Sequence, residues 1–282
     1  MPRLILLALL LLPVAAHAHG ESHPAEPGPP GWTLDPWLLI PLAMALVIYL
    51  AGFARLRRRT RTPRWRGLIL FLAGWIVLAG ATTSPLHEAG ERSFTFHMIE
   101  HELIMLVAAL LLPLSRPLGV MLWAFPRPMR HQLAAPAFMK ALVMPVTATA
   151  LQAAAMWIWH APPLFNRALG HPGWHITQHV SFFVTALLFW WSVTRAPNRA
   201  LAALCLFVTS VVGAALGALM TFSTSPWYAS YAAMGMMPFG LTPEEDQQLA
   251  GLIMWVPGGL VHAVAALIIL GQLFSKPGPS AK

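Results

Sequence analysis

Charge is what this sequence has least of. Aspartate, glutamate, lysine and arginine make up 10% of its 282 residues, against about a quarter in a water-soluble domain. So few charges leave most of any folded surface apolar, which excludes an ordinary soluble globule. Cysteine is almost missing too. The one cysteine, Cys205, lies inside an apolar run, which excludes a disulfide framework and a CxxC motif within the chain. The alternating segments of ~10 residues that a membrane β-barrel needs are absent. No long polar segment and no tandem short repeat interrupts the chain.

What is present is hydrophobic length. Fifty-seven per cent of the residues are apolar, and they gather in runs of ~20, enough to cross a ~30 Å hydrocarbon layer as helices. Backbone groups in lipid must pair within their own segment, so the expected fold class is all-α, a polytopic membrane bundle. The runs predict about seven transmembrane helices, near 36–54, 67–83, 94–114, 141–159, 174–194, 200–222 and 248–274. Residues 1–18 read as a signal peptide. Arg3 is its basic end, Leu4 to Leu12 its apolar stretch and Ala16-His17-Ala18 its cleavage site. A polar, Pro- and Gly-rich arm follows at 19–34, then the transmembrane domain at 35–275 and a tail at 276–282.

The net charge of +8 follows topology rather than nucleic acid, and no nucleic-acid partner is expected. Seven arginines lie between 55 and 66. Arg116, Arg127, Arg130, Lys140, Arg195, Arg199, Lys276 and Lys282 fall on loops of the same parity. Positive residues mark the cytoplasmic side, so the N-terminus is expected outside and the C-terminus in the cytoplasm, in a bacterial inner membrane. The acidic residues, among them Asp35, Glu88, Glu91, Glu100 and Asp246, fall on the outer side. An anionic outer face attracts cations.

Histidine carries the chemistry. His97 and His101 stand four residues apart, and so do His175 and His179. In a helix that spacing puts both rings of a pair on one face. Both pairs open spans that start from the outer side, and His160 closes a span at the same boundary. These five form the candidate metal site, with Glu100 as a carboxylate that orients a ligand. His87 and His171 read instead as ordinary histidines near helix ends, bonded to water or backbone. Imidazole and thioether together favour copper. Met98, Met254 and the Met234–Met237 loop offer sulfur, or simple apolar packing. An N-terminal His19 after cleavage, with His23 nearby, would be a second chelating site.

Helix-packing signals are present as well. Gly213, Gly217 and Thr221 form a row of small residues that lets helices approach closely. Thr242-Pro243-Glu244-Glu245 is a capping box with proline at the first helical position. Pro257-Gly258-Gly259 would bend or loosen the last span, a break that either exposes backbone to a cavity or accommodates a neighbour.

Four ordered segments carry a family resemblance: HMIEH at 97–101, WHAPPLFNRAL at 159–169, HITQHVSFF at 175–183 and DQQLAGLIMWVPGGL at 246–260. Together they resemble the CtaG family of cytochrome c oxidase assembly factors. The resemblance implies a role in maturing a haem–copper oxidase, with its subunits as partners and copper as the metal. It adds Asp246 and Gln247 to the polar residues of interest. It implies no defined reaction, so the chain is read as a non-enzyme. The sequence leaves three rivals open. One is a copper permease, to which the mid-span His262 and the interrupted last helix would belong. Another is a haem b protein held by two histidines. The third is a metallohydrolase, for which HExxH is missing.

Overall fold

The computed structural model describes residues 28–60, 65–132 and 137–274. The expected signal peptide, most of the arm with His19 and His23, Arg61 and Arg64 of the arginine run, and the tail at 276–282 lie outside the described residues. Those described are helical, with no strand among them.

Local chemistry sets most helix starts. Helix α1 (Pro36–Arg57) begins where Asp35 Oδ1 accepts from the Trp37 N–H at 2.9 Å and Pro36 takes a first-turn position. Helix α2 is Trp65–Thr83. A short amphipathic helix, α3 (Pro85–Arg92), is capped by Ser84. Helix α4 (Phe94–Leu114) follows after Ser93, and its middle, Leu103–Ala108, winds as a π-helix. Trp190 Nε1–H donates to the Met105 carbonyl there at 2.9 Å. Helices α5 (Pro145–His160) and α6 (Pro162–Leu169) precede α7 (Pro172–Arg195) and α8 (Arg199–Thr221). Helix α9 (Pro243–Phe274) opens with both halves of the expected capping box. Thr242 N–H donates to Glu245 at 2.8 Å, and Glu245 N–H to Thr242 Oγ1 at 3.3 Å.

Among the described residues, six helices are long and apolar enough to cross a membrane: α1, α2, α4, α7, α8 and α9. The expected fourth span differs. Residues 141–159 do not form one element, because a separate turn at Ala137–Leu142 ends before Pro145. Met144 and Ala161 both adopt extended backbone ahead of a proline, as steric contact with the proline ring favours. These two residues trim α5 to 16 residues, about 24 Å.

The main core joins α4, α5, α7, α8 and α9 through residues such as Met98, Met105, Phe182, Trp190, Leu206 and Met254. Helices α8 and α9 lie closest. A Cβ on Gly217 would sit 2.7 Å from the Gly251 carbonyl oxygen, and one on Gly251 2.6 Å from that of Gly217. Thr221 meets Gly251 as well, whereas Gly213 faces Met156 of α5. Helices α1 and α2 form a second cluster on the flank of α4, where Tyr49 stacks on Phe71. Helix α9 stays helical through Pro257. Gly258 makes room there for the Glu102 carboxylate, whose Oε2 is 3.1 Å from the position of a Cβ. Gly258 thus accommodates a neighbour, as one of the expectations for Pro257-Gly258-Gly259 had it.

Most of the described arginines gather at one end of the bundle, Arg92 and Arg167 being apart from them. Arg55, Arg58, Arg59, Arg127 and Arg130 share a cleft with Trp123 and Phe125. Arg116, Arg195 and Arg199 line another with Trp191. Arg195 donates to the Pro113 carbonyl at 2.6 Å, which ties the last turns of α4 and α7 together. The histidine pairs stand at the first turns of the same two helices, roughly 25 Å away along the axis.

Candidate metal centre

Helices α4 and α7 present their histidines in matching register. His97 and His101 have the same offsets from Phe94 that His175 and His179 have from Pro172. The start of α4 is fixed from outside its own sequence. Asp246, in the first turn of α9, accepts from Ser93 Oγ at 2.8 Å, from the Phe94 N–H at 2.7 Å and from the Thr95 N–H at 3.3 Å. A carboxylate there satisfies amides that a helix N-terminus leaves unpaired and meets the positive end of its dipole. Gln247, next along, accepts from the Trp227 N–H at 2.6 Å and donates to the Ser225 carbonyl at 3.2 Å, anchoring the α8–α9 loop.

Four of the five expected ligands meet in one pocket. Ring centroids are 4.2 Å apart for His97–His101, 4.4 Å for His175–His179, 5.0 Å for His101–His179 and 5.5 Å for His97–His175. His97, His101 and Glu100 are fully buried. His160 stands at the edge, 6.3 Å from His101. Its Nδ1–H donates to the Met156 carbonyl at 2.7 Å, which leaves Nε2 as the free lone pair.

His87 is a correction to the sequence reading, which took it for an isolated helix-end residue. Helix α3 folds back so that His87 stacks on His175 at 5.2 Å and donates from Nδ1 to Glu100 Oε1 at 2.7 Å. The same Glu100 oxygen is 3.6 Å from His179 Nδ1. Gly90 permits this approach, since a Cβ there would lie 3.1 Å from the His97 Cα. Burial opposes the charged form of His87. The hydrogen bond and charge of Glu100, with the charges of Glu91 and Glu88, outweigh that and raise its pKa above the ordinary histidine value. A signal for His87 was present in the sequence: Ser84-Pro85 opens a helix on which His87 and Glu91 are one turn apart. His171, by contrast, does what was expected of it, its Nδ1 accepting from the Gly173 N–H at the start of α7.

The roof of the pocket is aromatic and buried. Phe165 stacks on Tyr228 at 4.0 Å, Phe94 meets Tyr228 at 4.9 Å, and Phe165 meets His97 at 5.2 Å. Tyr231 donates to the Gly90 carbonyl at 2.6 Å. Burial raises the pKa of both tyrosines, keeping them neutral. The methionines divide. Met98, Met237 and Met254 are packed in the hydrophobic core, while Met234 and Met236 are exposed. Met237 is therefore not part of an accessible thioether loop. His262 lies away from the pocket, stacked on Trp190 and bonded to the Gly258 carbonyl.

The donors fit a metal ion. Both nitrogens of His97 and of His101, and Nε2 of His160, His175 and His179, are buried with no hydrogen-bond partner. Each such atom costs about 1–3 kcal/mol unless something binds it. One ligand atom from each of His97, His101 and His179 lies within 4.8 Å of the other two. Nitrogens at about 2.0–2.1 Å around one tetrahedral ion stand about 3.4 Å apart, a spacing comparable with this one. Imidazole suits copper, zinc, iron and nickel alike.

Comparison with known proteins agrees with the sequence resemblance. The family described as cytochrome c oxidase caa3 assembly factor matches residues 47–276. An uncharacterised protein of Mycobacterium leprae is 25% identical over 250 residues, covering 82% of this chain and 38% of its own length. Uncharacterised proteins of Mycobacterium bovis and Mycobacterium tuberculosis are each 28% identical over 242 residues, 79% of this chain and 36% of theirs. The chain thus spans well under half the length of these relatives. No solved structure matches it.

Proposed function

The chain belongs to the cytochrome c oxidase caa3 assembly factor family, and from that premise we propose that it binds copper in the histidine pocket and hands it to a haem–copper oxidase during assembly. The observation that carries this reading is the convergence of the fully buried His97 and His101 with the half-buried His179, whose unpaired Nε2 is itself buried. His175 adjoins them, and His160 completes or gates the set. Copper is cargo here, so a labile site suits the task better than a closed cage. Glu100 orients His87 by accepting its Nδ1–H, which leaves Nε2 for a ligand. The family name describes an assembly factor, and the proposal requires no catalysed reaction.

In the proposed topology the signal peptide sends the N-terminus out of the cytoplasm. Helix α5 then serves as the seventh crossing, shortened but packed between longer neighbours. The arginine clefts face the cytoplasm and the histidine pocket the periplasmic side of a bacterial inner membrane, as the positive-inside rule directs. Copper analysis of the purified protein tests the reading. Wild type should carry or take up copper, and a variant with His97, His101, His175 and His179 changed to Ala should not. Equal copper in the two would end the proposal. Copper uptake into proteoliposomes would instead favour a permease.

A further inference from the structure

The pocket contains more donors than one ion needs, and they fall into an ordered set. Ligand atoms come within 4.8 Å of one another in three groups: His87, Glu91 and His175; His87, Glu100 and His179; and His97, His101 and His179. The first is the outermost, since Glu91 is exposed. The last is the innermost, with His97 and His101 fully buried. The outer and inner groups share no residue. The middle group takes His87 from the outer one and His179 from the inner one, and adds Glu100.

From this arrangement we infer that the protein holds two ions at once, an outer and an inner, and that an ion moves inward through the middle group. The inference rests on the copper reading above. Because the outer and inner triads are disjoint, both fill together. The middle position forms only when each end releases one ligand, so it serves transfer and not storage. Throughout the move the ion keeps at least one imidazole: His87 holds it as His175 and Glu91 let go, and His179 receives it as His87 releases. The step exchanges ligands only, with no electron transferred. The donor chemistry grades along the path. The outer triad has a carboxylate exposed to water beside Glu88, which attracts a hydrated cation. The inner triad is imidazole alone, in a largely buried pocket, a donor set that favours copper over harder ions. The stacking of His87 on His175 at 5.2 Å and its edge contact with His179 at 5.7 Å put one ring within reach of both ends.

The test is native mass spectrometry of the full chain in detergent, titrated with Cu(II) alone. Wild type should bind two ions. Glu91→Gln, on an exposed position that leaves the fold intact, should bind one, and so should His97→Gln. Glu100→Gln should still bind two at equilibrium. Its slower phase of tryptophan quenching, read near Trp159 and Trp174, should slow by on the order of tenfold. A single ion in wild type, or two in Glu91→Gln, would overturn the two-ion arrangement while leaving the copper reading intact. Wild-type filling rates in Glu100→Gln would overturn the route through Glu100. No copper bound by wild type would instead remove the copper reading itself.

Discussion

Replacing Asp246 by Ala tests how the pocket is held in place. Its carboxylate is 1% exposed and accepts from Ser93 Oγ, the Phe94 N–H and the Thr95 N–H. Two of these bonds, at 2.8 and 2.7 Å, have charge-assisted geometry, and such bonds contribute about 1.5–3 kcal/mol each. Their joint loss should therefore destabilise the fold by about 3–6 kcal/mol, a large part of a total stability of about 5–15 kcal/mol. Asp246→Asn keeps the shape and one acceptor oxygen, and should lose roughly half as much. The assay is equilibrium unfolding of the detergent-solubilised protein, followed by tryptophan fluorescence, with copper uptake measured alongside. Because Asp246 sets the first turn of α4, uptake should fall with stability even though Asp246 is outside the donor groups. An Ala variant within about 1 kcal/mol of wild type would refute this account of how α4 is positioned.

Other perturbations separate the remaining elements. Gly251→Ala would place a methyl 2.6 Å from the Gly217 carbonyl oxygen. It should cost about 1–3 kcal/mol by overpacking α8 against α9, whereas the same change at Gly80 of α2, where an added Cβ would have no heavy atom within 4 Å, should be tolerated. In metal-free protein the His87 ring should titrate above about 6.5, because Glu100 holds its proton against the effect of burial. The His87–Glu100 contribution to stability is then present below the raised histidine pKa while Glu100 is ionised, and is lost as pH rises through that pKa. Histidine NMR should show that midpoint falling in Glu100→Gln. Gly90→Ala should push α3 away from α4 and weaken copper binding by the outer triad more than by the inner one, read by stepwise native mass spectrometry.

Much of the architecture was legible in the chain because the deciding chemistry is local. Asp35-Pro36 and Thr242-Pro243-Glu244-Glu245 are self-contained helix starts, and both behave as their residues dictate. The span at 94–114 coincides with α4. The four-residue spacing of the histidines predicts shared faces, and the rings do share them. What the sequence concealed depends on contacts between distant segments. Asp246 caps a helix some 150 residues earlier, and no local pattern signals that. His87 joined the pocket only because a Ser-Pro-capped turn folds α3 back over α4, with Gly90 at the crossing. The fourth span was misplaced because hydropathy ignores backbone sterics. Apolar residues run on through 141–144, but Met144, ahead of Pro145, is extended and starts a new helix. The π-helical stretch of α4 likewise has no hydropathy signature.

The aromatic roof has a consequence for traffic. Phe94, Phe165, Tyr228 and Tyr231 are buried over the pocket, and the exposed residue of its donor groups is Glu91 on α3. Under the proposed function, cargo and recipient then use the same flank. A client would have to read the surface made by Glu88, Glu91 and Arg92 before it could collect the ion, which makes this short helix the doorstep of the whole bundle.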